Sequence, residues 1–328
     1  MTLLAVVPNP PRPPGRRPRP LTPAGLGLPE QARTAGRRDS LTAHVRATVD
    51  TQVRVLMAEQ ATAGRADSPE SVHQMRVAAR RARVALRMDR DGIGPRAATL
   101  RDELAWLGNL LGEVRDLDVL IERLGEDGAT LPEADVPAFG DVVAALLAVR
   151  STAADALVAA LGKQRYRALL RGLAAEAVVP VDSPAGTGTP IPADLLVKPV
   201  KALHTQLAES ARAPSDEGWH ILRIRVKRVR YAAELAARVA GRKRGGALAE
   251  LVGEAKTLQE VLGAFQDTVA AEHRLRQLVV TSSDALSPAE WLVLGRLVER
   301  QAARRDQLRE QLPAACGQLY QLTTKPSV

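Results

Sequence analysis

Two segments of the chain carry basic side chains at a spacing that suits a row of negative charges. In the first, His73 is followed by Arg76, Arg80, Arg81 and Arg83; 147 positions later His220 is followed by Arg223, Lys227, Arg228 and Arg230. On a helix, at about 100° per residue, His73, Arg76, Arg80, Arg83 and Arg87 fall within an arc of about 80°. The opposite side carries Met75, Ala79, Ala82 and Leu86. In the second segment His220, Arg223, Lys227 and Arg230 form the stripe, and Leu222, Val226, Val229 and Ala233 form the apolar face. Such a row climbs about 5.4 Å per turn. Arginine forks make charge-assisted bonds to paired phosphate oxygens, so the ladder suits an elongated anion. The row also repels itself by a few tenths of a kcal/mol per i,i+4 pair, roughly. No acid relieves either stripe until Glu234.

The acids lie elsewhere. Leu107–Asp118 (LGNLLGEVRDLD) matches Leu258–Val269 (LQEVLGAFQDTV) 151 positions on, which aligns Asp116 with Asp267 and Gly112 with Gly263. We read Asp116 and Asp267 as structural ion-pair partners, each expected to hold an arginine of a basic helix. The two glycines are expected to permit close helix approach. Arg81 and Arg228 sit about 80° round from their histidines and could face either the ligand or these acids. Neither His73 nor His220 has a second ligand at i+4, and His44, His204 and His273 do not complete a metal spacing. No metal site and no catalytic residue is therefore assigned. Phosphate contact is the expected role of His73 and His220, with a structural hydrogen bond as its competitor.

Helices must position these stripes. Asp39 and Ser40 are candidate caps for a helix running to about 59, and Ser68-Pro69-Glu70 opens a second running to about 89. Further helices are expected at about 96–125, 134–161 and 164–177, then 193–211, 216–240, 245–280 and 287–320. Residues 1–38 hold nine prolines in the first 29 positions, among Arg12, Arg16, Arg17 and Arg19, and read as a disordered tail. The Pro/Gly-rich 178–192 reads as a linker between a first half, 39–177, and a second, 193–320. Nothing alternates with period two for long. The expected fold class is all-α, with two similar halves.

Composition narrows the partner. Lys+Arg 46 against Asp+Glu 37 give a net charge of +9, which favours an anion without choosing among nucleic acid, membrane and polyphosphate. Only eight aromatics (Trp 3, Tyr 3, Phe 2) are present, too few for base-stacking platforms. They also leave the core to Leu, Val and Ala, which favours helix. Cys316 stands alone, so no internal disulfide forms. Val142–Leu161 is the most apolar run, but Arg150 and Asp155 break it. The opening MTLLAVVPNPP lacks a basic n-region. A cytoplasmic protein without membrane partners is expected. Lys163, Arg165, Arg167 and Arg171 read as a surface cluster, and Arg242-Lys243-Arg244 as a basic turn.

VHQMRVAARRARVALR, LLGEVRDLDVL and WHILRIRVKRVRYAAEL resemble the conserved-histidine α-helical domain, or CHAD, family over about residues 40–318. The resemblance implies two four-helix bundles related by pseudo-two-fold duplication, with inorganic polyphosphate bound in a central basic cavity. By match to its motifs, His73, Arg76, Arg80, Arg83, His220, Arg223, Lys227 and Arg230 are the binding residues. Lys198 and Lys201, and more weakly Arg54, are carried over from the first helix of each half. Arg81, Arg87 and Arg228 are secondary candidates. The resulting expectation is a non-catalytic polyphosphate binder without cofactor, associated with polyphosphate granules. A nucleic-acid-binding scaffold is the alternative. A polyphosphate phosphohydrolase or phosphotransferase is a third, which would need a metal-binding carboxylate cluster or a positioned nucleophile.

Overall fold

The computed structural model describes residues 21–63, 68–180, 195–240, 242–282 and 284–324, and no strand occurs among them. Ten helices follow in chain order: α1 Leu41–Ala63, α2 Pro69–Met88, the single turn α3 Arg90–Ile93, α4 Arg96–Gly128, α5 Val136–Leu161, α6 Gln164–Val178, α7 Val197–Arg212, α8 Asp216–Val239, α9 Arg242–Ser282 and α10 Pro288–Thr323. Local chemistry sets the starts. The Ser40 hydroxyl accepts from Ala43 N–H at the head of α1, and Ser68, with Pro69 behind it, accepts from Ser71 N–H for α2. Ser215 accepts from Gly218 N–H to begin α8, and Ser287 and Glu290 close a reciprocal capping box on α10. Gly94, at φ 77°, takes the left-handed conformation that turns the chain from α3 into α4.

Two helical bundles result, each with its own core. Val53 and Leu56 of α1, Met75 and Leu86 of α2, Leu107 and Leu111 of α4, and Leu170 and Leu173 of α6 fill the first. Leu203 of α7, Leu222 and Val226 of α8, Leu258 and Phe265 of α9, and Leu312 and Leu319 of α10 fill the second. A third core joins them. α9 has 41 residues and α10 has 36, so α9 is about 60 Å long at 1.5 Å per residue, longer than one bundle needs. The far half of α9 (Leu275, Leu278) and the near half of α10 (Leu294, Leu297) pack on Leu117, Leu120 and Leu124 of α4 and Val142 and Leu146 of α5. α5 thus enters two cores, with Leu157 and Leu161 in the first and Val142 and Leu146 in the third. The fold class is all-α, as the composition implies.

Part of the segment expected to be a disordered tail is packed. Residues 21–38 lie on the first bundle: Leu28 is 4% exposed, and Leu21 and Leu26 pack on the same core. Arg33 donates from its backbone to Asp50 (2.5 Å) and from its guanidinium to the carbonyls of Ala177 (2.7 Å) and Val179 (2.9 Å). Arg37 reaches the carbonyl of Ala240, at the end of α8, at 2.8 Å. These residues form a strap that touches both halves. Residues 1–20, and most of the expected linker (181–192), lie outside the described residues. The expected basic turn Arg242-Lys243-Arg244 is instead the first turn of α9.

Candidate functional site

Both basic stripes lie on helices whose opposite faces are buried, so the packing that builds the cores also turns the cations outward. α2 brings Arg76 and Arg80, and α8 brings Arg223 and Lys227, into mutual electrostatic range across the two bundles. Burial and the positive charges of Arg223, Arg80, Arg76 and Arg230 push the Lys227 ammonium down to about 7. Arg223 is lowered by burial and by Arg80 and Arg76, against the pull of Asp267 and Asp116. Four cations from two halves of the chain therefore share one site.

The two acids sit beside this site on α4 and α9. Arg76 Nη1 donates to Asp116 Oδ1 at 2.6 Å. Asp267 pairs at 3.8 Å with Arg123 of α4 rather than with an arginine of α8, although Arg223 lies within its field. Burial raises the Asp267 carboxyl, Arg223 and Arg123 oppose that rise, and Asp116 adds to it. A cavity of about 280 Å³, lined by Asp116, Arg123, Asp267, His273 and Arg274 among others, separates α4 from α9 here. Arg223 crosses α9 at Gly263, where an added Cβ would stand 3.5 Å from Arg223 Nη2. Gly112 does not mark a close approach, since an added Cβ there would meet nothing within 4 Å.

The histidines differ in their settings. His73 is lowered by burial and by Arg115, Arg80 and Arg76, with Glu70 opposing. His220 Nδ1 lies 3.1 Å from Gln266 Oε1. With Nδ1–H donating to that amide oxygen, Nε2 can donate to an anion only in the imidazolium form. Buried donors stand ready nearby: Arg223 Nε, Arg230 Nε and Arg123 Nη1 have no hydrogen-bond acceptor. Donors of this kind are costly when unmatched, and an anion would satisfy them.

Other expected residues are placed less centrally. Arg83 is exposed on α2, and Lys198 and Lys201 are exposed at the start of α7. Arg87 is exposed near the end of α2. Arg230 pairs with Glu234 at 3.3 Å and lies over the Tyr231 ring at 4.7 Å. Arg228 is lowered by burial and by Arg225, and Arg81 lines a different cavity. Arg54 is a correction. It pairs with Asp50 at 2.9 Å and donates to the carbonyls of Pro29, Glu30 and Gln31, so its guanidinium holds the strap down instead of facing the groove. Arg165, read as surface, forms a forked pair with Glu103 (2.7 and 3.0 Å) and lies 4.2 Å over Trp106.

Arg123 and Gln266 escaped the sequence reading. Arg123 follows Asp116 by seven residues, which places it on the same helical face, and that spacing was a usable signal. Nothing in the sequence distinguishes Gln266. Among the described residues no group of three or more His, Cys, Asp or Glu is placed to hold a metal ion. One helical stretch, Glu133–Leu161, is long and apolar enough to cross a membrane by length and composition. It buries Val142 and Leu146 in the third core, and its Arg150 pairs with the buried Asp118 at 2.5 Å.

An all-helical double bundle with facing basic helices defines the class, and comparison with known proteins agrees. The CHAD domain family matches residues 47–276, and the chain belongs to that family. It is 31% identical over 272 residues to the uncharacterized protein MT2285 of Mycobacterium tuberculosis (strain CDC 1551 / Oshkosh), a match covering 80% of this chain and 50% of that protein. The uncharacterized protein Rv2226 of the H37Rv strain is 30% identical over the same length. The chain thus spans about half the length of the curated relatives it matches. The crystal structure of the CHAD domain from the plant Ricinus communis superposes with a TM-score of 0.67 at 26% identity, over 88% of this chain and 95% of that one. PptA from Streptomyces chartreusis shares the fold, with a TM-score of 0.61 at 21% identity over 86% and 99% of the two chains.

Proposed function

We propose that the chain binds inorganic polyphosphate, without turning it over, in the groove between α2 and α8. The observation that carries this reading is the meeting of Arg76 and Arg80 with Arg223 and Lys227 across the two bundles, beside buried arginine donors that lack acceptors. A linear phosphate polymer supplies negative charge at regular intervals. It can answer cations from both halves at once, where a single phosphate answers one or two. His73 and His220 would contact phosphate near the starts of their helices. Asp116 would hold one edge of Arg76 and so preset the guanidinium. Binding of this kind would associate the protein with polyphosphate granules.

Retention assays at matched phosphate concentration test the reading. Long-chain polyphosphate should be retained, monophosphate should compete weakly, and duplex DNA should displace the polymer poorly. Easy displacement by DNA would favour a nucleic-acid scaffold instead. Release of phosphate above background with Mg²⁺ would show turnover and overturn the non-catalytic part of the proposal.

A further inference from the structure

A second cavity, of about 600 Å³, opens where the strap, α1, and the C-terminal halves of α2 and α8 meet. Its lining includes Arg33, Thr34 and Ala35 of the strap and no residue of α4 or α9, the helices that carry Asp116 and Asp267. On α2 it uses Arg81, Val84, Ala85 and Met88, a set centred about 120° round the helix from the centre of Arg76, Arg80 and Arg83. None of Arg76, Arg80, Arg223 and Lys227 lines it.

Its polar groups divide into two sets. Arg33 already donates to the carbonyls of Ala177 and Val179, Glu234 is paired with Arg230, and Thr48 and Thr51 donate to carbonyls of their own helix. The other set is unmatched. His44 is 2% exposed, and neither ring nitrogen makes a hydrogen bond; the Gly36 backbone acts on the ring without reaching hydrogen-bonding geometry. The buried Tyr231 hydroxyl also has no partner. Arg81 and Arg238 add exposed guanidinium groups at the rim. The rest of the wall is apolar, with Val45, Val84, Met88 and Leu235. Buried polar groups in native proteins are nearly always matched, so an orphan imidazole and an orphan phenol facing one cavity point to a missing partner.

We propose that this cavity is a binding site for a small organic anion, with one phosphate or carboxylate head held by His44, Tyr231, Arg81 and Arg238, and an apolar body lying on Val84, Met88 and Leu235. The volume falls within the range of small-molecule sites, and a few convergent polar groups on an apolar wall are their usual composition. Burial and the Arg238 charge lower the His44 imidazole, against Gly36 and Asp39. An anion beside Arg238 would offset that charge, and the neutral His44 ring already carries one N–H to donate to it. Because strap residues form one wall, a bound ligand would tie the strap to α1 and α8.

The test uses calorimetric titration of the full chain with phenyl phosphate, 3-phenylpropionate and inorganic phosphate. One of the two aromatic anions should saturate a single site, and the stronger identifies the head group. Inorganic phosphate, lacking the apolar body, should bind more weakly. Tyr231→Phe, which keeps the ring under Arg230 and removes one hydroxyl, should weaken binding about tenfold or more. His44→Phe should do the same, and both should leave polyphosphate retention unchanged. Conversely, the groove variant Arg80→Ala/Lys227→Met should lose polyphosphate and keep the aromatic anion. Failure of both aromatic probes to saturate would overturn the inference, as would a Tyr231→Phe affinity equal to wild type. Loss of probe binding in the groove variant would show that the anions use the groove alone.

Discussion

Arg76 of α2 and Asp116 of α4, forty positions apart in sequence, meet at 2.6 Å beside the cations that α2 and α8 bring together. The pair is partly exposed on both sides, so its strength as an ion pair is small, about 0–1 kcal/mol, and its role is to aim a guanidinium. Arg46 and Glu176, at 3.0 Å, form the opposite case: both side chains are buried, and Arg46 also holds the carbonyl of Pro180.

The contrast gives the first prediction. Asp116→Asn should change unfolding free energy by less than about 1 kcal/mol. Glu176→Gln should cost about 3 kcal/mol or more, because it strands a buried guanidinium charge. Urea denaturation of both variants checks the pair, and equal losses would contradict this account of the two ion pairs.

Protonation supplies the second. Lys227 is pushed down to about 7 in the folded chain, against 10.5 in an unfolded one, so between those values the unfolded state holds more protons. Stability from this residue therefore rises with pH across that window, and it is lost as pH falls from 10.5 to about 7. A polyanion reverses the penalty by restoring the ammonium, so binding takes up protons. Affinity should strengthen as pH falls toward about 7, by up to tenfold per unit, roughly, for one linked proton, and level off below it. His73, lowered in the same way, adds to this trend at lower pH. Titrations from pH 6 to 9 at fixed salt should show it, and Lys227→Met should flatten the upper part of the profile. A flat wild-type profile would refute the linkage.

Salt dependence gives the third. Each phosphate contact releases condensed counterions, so removing Arg80 should reduce the slope of log affinity against log salt by about one unit. An unchanged slope would place Arg80 outside the contact.

Gly112 gives the fourth. Because a methyl group there meets nothing within 4 Å, Gly112→Ala should fold normally and gain up to about 1 kcal/mol from helix propensity. Destabilisation would show that α4 needs a bare backbone at this point.

Much of the fold was legible because helix period and burial speak through the same residues. Met75, Ala79 and Leu86 on one face of α2 imply Arg76 and Arg80 on the other, and the structure buries the first set as the pattern requires. The strap was not legible. Its prolines resemble a disordered segment, and only the three-dimensional meeting of Arg54 with the carbonyls of residues 29–31 shows why it is ordered. The same fact removes Arg54 from the groove. The third core was hidden for a different reason: Leu117, Leu120 and Leu124 continue the apolar face of α4 without revealing that the partner is the far half of α9. Arg123 was within reach of helical spacing. Gln266, a neutral neighbour of Asp267, was not, since its role depends on where the His220 ring falls.

The central claim is that cations from both bundles bind one polyphosphate chain. Calorimetric titration with polyphosphates of defined length, on wild type and on Arg80→Ala/Lys227→Met, tests it most directly. Far-UV circular dichroism confirms that the double variant keeps its helices. Wild type should saturate at one groove per chain, with affinity rising with polymer length until the groove is filled. The double variant, missing one charge-assisted contact from each half, should bind about a hundredfold more weakly or worse. A folded double variant that binds within twofold of wild type would contradict the claim.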